Sequence, residues 1–405
     1  MIRTYNYRLF TNAAQDSALD RLLWQSRNVY NAALAQRRDA WEGEKRSVTY
    51  AQQWAHFRDE RRANPETLGI LNATSLQQLL RRLDKAFSAF YRRCKKGETP
   101  AQGHPPRPSG RTVGYPRFKG RNRFKSIEYR HGDGCKLRFD AAGRTMLYVQ
   151  NVGEVKVKYH RPVPEGAVIK HVVIKRVLDK WFVSLMLELP EAESVDVPTD
   201  CVGVDVGLTS LLALSNGELV ENPRWLQRSL AKLRRAQRRM SRRRKGSSGW
   251  KKAGYQVAKL HQHVANQRRD FWHKKTTELV SRYGLIAIED LTLAFMTQHP
   301  HLAKSAHDAA LGMFRSLLEQ KAGSAAVRVA AVNPWGTSQE CSGCGAVVKK
   351  DLSVRVHRCS CSLVLNRDVN AARNILQREL GHGPVPWGDN VAVVDASVAP
   401  EAALL

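Results

Sequence analysis

Residues 201–221, CVGVDVGLTSLLALSNGELVE, constrain the fold more than any other stretch. VGVDVG and LLALS are short apolar runs, and ELVE follows an Asn-Gly pair of the kind that turns a hairpin. Three consecutive strands are expected. Asp205 sits mid-strand between small and β-branched neighbours, where a carboxylate loses hydration and needs a cation or donors. Two more carboxylates follow in order. Glu289 ends the apolar run LIAIE (285–289), and Asp368 opens the helical pattern DVNAARNILQREL (368–380). Each motif alone is weak, and a lone strand aspartate is more often structural. Hard cations such as Mg²⁺, however, are held by a few carboxylates plus substrate phosphate. Two such ions ~3.5–4 Å apart would activate water and stabilise the leaving oxygen in phosphodiester hydrolysis. The order of strands, helices, a strand ending in Glu and a helix opening on Asp favours that joint reading.

Two helices are expected between these carboxylates, 223–245 and about 251–282, separated by KGSSG. Leu226, Leu230, Leu233 and Met240 give the first an apolar stripe. Arg234, Arg235, Arg238, Arg239, Arg242, Arg243 and Arg244 cover much of the rest. Asp270 is the only acidic residue between Arg224 and Lys275. Like charges four apart destabilise a helix unless something neutralises them, so contact with nucleic-acid phosphates is favoured over a merely solvated face. The whole chain agrees: 66 Lys and Arg against 37 Asp and Glu give a net charge of +29. That excess excludes an ordinary small-metabolite enzyme and predicts a polyanionic partner. A membrane is the weaker candidate, since MIRTYNYRLF is no signal peptide and no apolar run approaches the ~18 residues of a spanning helix. The expected location is cytoplasmic, with the nucleoid.

YNYRLF (5–10) alternates like a strand, and 14–98 reads as helical, with stripes at Leu19, Leu22, Leu23, Val29 and at Leu76, Leu79, Leu80, Leu83, Phe87. KKGETPAQGHPPRPSGRTVG (95–114) reads as a linker or surface loop. From 115 to 190, runs such as KLRFD, MLYVQ, VKVKYH, HVVIKRV and WFVSLMLEL predict a small barrel or sandwich, completed by the first strand. In YPRFKGRNRFKS (115–126), Arg117, Lys119 and Arg121 interleave with aromatics. This is either a platform for bases and phosphates or a basic loop with Phe118 buried. ESVDVPTD (193–200) reads as a boundary, AHDAALGMFRSLLEQKAG (306–323) as one helix, VRVAAVNP (327–334) as a strand, and the tail as loosely ordered.

GVDVG, IED, TSQECSGCG and NRDVNAARNI, in this order, resemble the RuvC nuclease of the TnpB family. These are transposon-encoded, RNA-guided DNA endonucleases related to type V CRISPR effectors. QSRNVYNAAL (25–34) and PRFKG (116–120) extend the resemblance to roughly residues 5–380. It implies an α+β multidomain chain. A β-barrel wedge domain (1–12 and 106–195) is interrupted by a helical recognition domain (13–105). An RNase H-like RuvC α/β domain (196–336 and 363–381) then carries a zinc-ribbon-like insertion (337–362), and 382–405 is a tail. It also implies that Asp205, Glu289 and Asp368 bind two Mg²⁺ ions as a catalytic triad. The partners it implies are a guide RNA from the transposon end and target double-stranded DNA, with the protein monomeric in its RNA complex. A short flanking DNA motif is read by the protein, and Gln77 and Gln78 are the candidates, since Gln bonds adenine bidentately. Their alternative is a solvent-facing helix surface. One departure is Asn366, where many members carry a second Asp. A compact type V CRISPR effector is the near rival. A non-cleaving RNA-guided repressor and a strand-transferring transposase are more distant.

Seven cysteines, three scattered (Cys94, Cys135, Cys201), make a poor disulfide framework and suggest a reducing compartment. Cys341-x-x-Cys344 is a metal knuckle, and Cys361 stands seven residues before Asp368, as the resemblance implies. Its usual partner position holds Arg358, so the fourth zinc ligand has slipped to Cys359, which is favoured, or to His357. The zinc would be structural and would clamp the insertion ahead of Asp368. A degenerate finger without metal is the alternative.

Overall fold

The computed structural model describes residues 2–95, 115–121, 123–190, 197–291, 294–351 and 353–383. Most of the expected linker (95–114), part of the boundary stretch (193–196) and the tail beyond 383 lie outside the described residues, and so do the expected domain limits at 105/106 and 195/196. The chain forms two compact units, 1–192 and 193–405.

The first unit contains β1 (Ile2–Phe10), α1 (Ala13–Glu44), α2 (Tyr50–Ala63), a 3-10 turn (Leu68–Ile70) and α3 (Ala73–Lys95). Six strands follow: β2 (Ser126–His131), β3 (Gly134–Phe139), β4 (Thr145–Val149), β5 (Gly153–Val157), β6 (Val168–Val177) and β7 (Lys180–Glu188). They close a barrel in the order β1-β5-β4-β3-β2-β6-β7, so the barrel, not the sandwich, is realised. β1 runs antiparallel to β7 from Ile2↔Glu188 to Leu9↔Trp181 and meets β5 at Leu9↔Val157. Closure leaves no sheet edge exposed. Tyr5, Tyr7 and Leu9 point inward at the period of two that the sequence shows. α1 begins with a capping box between Asn12 and Gln15, and both predicted leucine stripes join one core with the barrel. Phe118 is not buried as the basic-loop alternative expected: the residue is 42% exposed, with the Arg38 guanidinium over its ring.

The second unit starts with a meander: β8 (Cys201–Val206), β9 (Ser210–Leu214) and β10 (Leu219–Glu221). Then come α4 (Trp225–Ser241), α5 (Ser248–Arg282), β11 (Leu285–Glu289), α6 (Ala294–Gln298), α7 (Ala303–Ala309), α8 (Leu311–Ser324) and β12 (Arg328–Val332). A small hairpin, β13 (Val356–Arg358) and β14 (Val364–Asn366), leads into α9 (Arg367–Leu380). The main sheet is ordered β10-β9-β8-β11-β12, with β8, β11 and β12 parallel. α9 lies against β8, where the Ala372 carbonyl comes so close to Gly203 that a Cβ there would sit 2.0 Å away.

The single helix expected over 306–323 is broken at Ala310, which takes φ 55°. The break turns buried Asp308 toward α4. Its carboxylate accepts hydrogen bonds from the Leu226 (2.9 and 3.0 Å) and Gln227 (3.4 Å) amides and pairs with Arg268 at 2.6 Å. The cap position of α4, Arg224, is left-handed and offers no side-chain cap, so Asp308 satisfies those amides from a distance. α4 also stops at Ser241, short of 245, because a turn through Gly246 (φ 86°) hands over to the Ser247 cap of α5.

Candidate active site and metal centre

β8 and β11 run parallel with Val204 opposite Ile288, so Asp205 and Glu289 occupy the next step along neighbouring strands. Asp368 stands in the first turn of α9. Burial pushes the Asp205 carboxyl well above the usual range, and the charges of Glu289 and Asp368 push it further; the Val206 amide and Arg367 oppose this. The three sequence-predicted carboxylates therefore converge. Burial also raises Glu289, against the Thr337 hydroxyl and Arg378. Thr337, itself buried, donates from Oγ1 to Glu289 Oε1 at 2.5 Å, with the Pro334 carbonyl the alternative acceptor at 3.0 Å. Asp368 is flanked by Arg367 (3.3 Å) and Arg355 (3.8 Å). Among the described residues neither Asp205 nor Glu289 forms an ion pair. A half-buried carboxylate within electrostatic reach of two others suits a hard divalent cation, although among the described residues only four cysteine sulfurs lie close enough together to share an ion as they stand.

Asn366 explains its own departure from the family pattern. It caps α9, its Oδ1 accepting from the Asp368 (2.8 Å) and Val369 (3.4 Å) amides. That role needs one side-chain oxygen, which Asn supplies as well as Asp.

Sequence reasoning missed how α9 fastens the connection after β12. Asn374 Nδ2 donates to the Thr337 and Glu340 carbonyls (both 2.8 Å), and Asn370 Nδ2 to the Glu340 carbonyl (2.6 Å). The Ser342 amide donates to Asn370 Oδ1 (3.0 Å), and Gln377 Nε2 to the Ser342 carbonyl (2.9 Å). Arg378 pairs with Glu340 at 2.7 Å and donates to the Asn333 and Trp335 carbonyls. Positions 370, 374 and 377 share one helix face, and all three amide side chains are buried. The helix carrying Asp368 thus also holds the loop whose threonine touches Glu289. Amides at i, i+4 and i+7 in NAARNILQ were the signal available.

Four sulfurs, of Cys341, Cys344, Cys359 and Cys361, lie within 4.8 Å of one another. Cys341–Cys361 is 3.7 Å and Cys344–Cys359 is 3.5 Å. A tetrahedral ion with Zn–S of about 2.3 Å needs sulfurs about 3.8 Å apart, so the set fits zinc. The C-x-C pair reaches because it lies in the β13–β14 turn, where the Ser362 amide bonds the Cys359 carbonyl (3.0 Å) and Ser362 takes φ 70°. The Cys361 backbone amide, more than any other group, holds the Cys359 thiol below its ordinary range, whereas burial raises Cys341, so Cys359 is the readier thiolate of the two. His357 lies outside this four-sulfur set. It is fully buried against Lys350, and burial, then that lysine, push it down to about 4. About one zinc per purified chain is expected, with Cys344→Ser lowering the content at least about tenfold under mild chelation. Full zinc content in that variant would remove Cys344 from the ligand set.

Arg235, Arg238 and Arg239 of α4, with Arg242 and Arg243 just past its end, line one recess of about 640 Å³; Arg234 is exposed outside it. Arg117 and Arg121 are exposed, whereas Lys119 is partly structural, its amide bonded to Asn31 Oδ1 (2.8 Å) and its Nζ over the Tyr30 ring. Gln78 lines a cleft of about 260 Å³ with Arg81, Arg82, Lys85 and Ser126, and Gln77 is half-buried outside that lining. No described helix is long and apolar enough to cross a membrane.

Comparison with known proteins gives a consistent picture. Residues 184–299 match the OrfB_IS605 family model, described as "Probable transposase", and 312–375 match the Cas12f1-like TNB domain. Residues 1–46 match a model described as a helix-turn-helix domain, although here they hold one strand and one continuous helix. A "Putative RNA-guided DNA endonuclease" of Streptomyces pristinaespiralis is 36% identical over 381 residues, 92% of this chain and 88% of that protein. The similarly named InsQ of Escherichia coli K12 is 29% identical, covering 96% of this chain and 95% of its own. In fold, the chain resembles the protein in the cryo-EM structure of the Cas12f1-sgRNA-target DNA complex. The TM-score is 0.56 at 15% identity, over 89% of this chain and 82% of that one.

Proposed function

This chain belongs to the TnpB family of RNA-guided DNA endonucleases, and from that premise we propose that Asp205, Glu289 and Asp368 form its DNA-hydrolysing site. The observation that carries the reading is that neighbouring strand ends and a helix start bring Glu289 and Asp368 within electrostatic reach of Asp205 and raise its carboxyl. The all-oxygen donor set suits Mg²⁺, which when bound would supply Lewis acidity to a phosphate and acidify a water. The protein's own part is placement. Thr337 fixes one oxygen of Glu289, the α9 N-terminus and Asn366 fix Asp368, and Arg355 and Arg367 lie beside it where a phosphate would approach.

In this reading the zinc held by the four cysteines is structural. The barrel is the wedge, and α1–α3 recognise the DNA flank, with Gln78 the better placed of the two glutamines. Guide pairing reads the target, while the α4 arginines, Arg117 and Arg121 take phosphates and impart a steep salt dependence. The protein would work as a monomer with its guide RNA at the nucleoid, where double-stranded DNA is available.

The test is purification with co-transcribed RNA, sequencing of that RNA, and incubation with matched and mismatched DNA in Mg²⁺ or EDTA. Cleavage of matched DNA in Mg²⁺ alone is expected. Cutting that ignores the match, or a protein that copurifies without RNA, would end the guided reading.

A further inference from the structure

Trp335 is 79% exposed, more than any other large hydrophobic side chain among the described residues, while Trp181 and Trp272 are fully buried. It has no aromatic partner among the described residues, and an indole left this exposed is uncommon.

Its backbone is tightly held. Val332 of β12 pairs with Glu289, and five residues later the Thr337 hydroxyl returns to the same glutamate. Trp335 sits within this short excursion, two residues from Thr337, so the two Cα atoms are at most about 7 Å apart. The Trp335 amide donates to Asn333 Oδ1 at 3.0 Å, and its carbonyl accepts from Arg378 Nη1 at 2.7 Å. Pro334 precedes it and Gly336 follows at φ 77°, where a Cβ would come within 3.0 Å of Glu340 Oε1. A tightly held loop therefore presents an exposed indole two residues from the threonine that bonds Glu289.

We propose that Trp335 is a stacking platform for a nucleobase of the DNA strand presented to the carboxylate site. This rests on the nuclease reading above. Stacking suits a site that must accept any sequence, because every base offers a π face. The indole has only two side-chain torsions to order, so it holds a base with little entropy loss. Trp335 is thereby a positioning residue, keeping the scissile phosphate over Asp205, Glu289 and Asp368 while guide pairing retains the rest of the target.

The experiment uses the full RNA complex and targets carrying 2-aminopurine at successive positions around the mapped cut, with Ca²⁺ in place of Mg²⁺ to hold the substrate. Stacking quenches 2-aminopurine. Quenching at one position is expected in wild type and in Trp335→Phe, and is expected to vanish in Trp335→Ala. In Mg²⁺, Trp335→Ala should cut about 10-fold to 100-fold more slowly, the range of one lost base stack. Target affinity, zinc content and melting temperature should be unchanged, and Trp335→Phe should recover most of the rate. Wild-type cutting and unchanged fluorescence in Trp335→Ala would overturn the proposal while leaving the nuclease standing. A wild-type complex that fails to cut matched DNA would instead overturn the nuclease reading, and the fluorescence arm would still decide whether the indole stacks.

Discussion

Asp205→Asn is expected to stop cleavage of guide-matched DNA while making the metal-free protein more resistant to heat. The amide keeps the shape of the side chain but loses the charge that a divalent cation needs, so the rate should fall about 10³-fold or more. The gain in stability follows from the sign of the carboxyl shift. Burial and the two neighbouring carboxylates raise Asp205 above its unfolded value, so the folded state favours the protonated form. That preference supports folding at acid pH and is lost as pH rises through the folded value; above that value the ionised group opposes folding. Removing the charge should raise the melting temperature by about 2–4 °C, the equivalent of about 1 kcal/mol in a unit of this size. Magnesium should stabilise the wild type and do so less in the variant. Scanning fluorimetry with and without Mg²⁺, beside a cleavage time course, reads both effects. Cutting at the wild-type rate would remove Asp205 from the reaction, and an unchanged melting temperature would show that the fold already relieves its charge.

Gly203→Ala is expected to be among the most damaging methyl groups that could be added. The new Cβ would lie 2.0 Å from the Ala372 carbonyl and 2.9 Å from the backbone nitrogen and Cβ of Leu376. Both obstacles belong to α9, and neither is the end of a flexible side chain that could swing away. Relief requires lifting the helix from β8, and α9 carries Asp368 in its first turn. A loss of about 3–5 kcal/mol is expected, at the severe end for overpacking, with cutting lost even where some protein stays folded. Gly254→Ala is the matched control. Its Cβ would meet only Met240, at 3.5 Å, inside a helix where alanine is preferred. Soluble yield and melting curves separate the two, and a Gly203→Ala protein that melts and cuts like wild type would refute the contact.

The carboxylates were legible because each lies in a short segment whose local pattern decides its structure. Asp205 and Glu289 occupy apolar strands, and Asp368 follows a capping asparagine. The barrel's inward residues were legible for the same reason, since alternation survives in the sequence. What was missed depends on distant partners. β2 reads as SIEYRH beside a basic loop, and only pairing with β6 shows that Ile127 and Tyr129 face inward. The break at Ala310 follows an Asp308 whose partners are the amides of a helix some 80 residues earlier, which no local pattern announces. The amide face of α9 is polar yet buried, the reverse of what periodicity rewards, and its partners are carbonyls that carry no side-chain signal. The zinc spacing was misleading only in its count: a turn brings the C-x-C sulfurs where the usual spacing would.

The barrel's closure has a consequence for how the chain emerges from the ribosome. Ile2 pairs with Glu188, so the first strand made must wait 186 residues for its longest partner. At about 5–20 residues per second, that is roughly 10–40 s of synthesis. Until β5 is made both edges of β1 are free, and until β7 is made most of its length stays unpaired, while α1–α3, whose contacts are more local, are already complete. Slowed translation between α3 and β7 would therefore lengthen the period in which the nascent chain is prone to aggregate, whatever the stability of the finished protein.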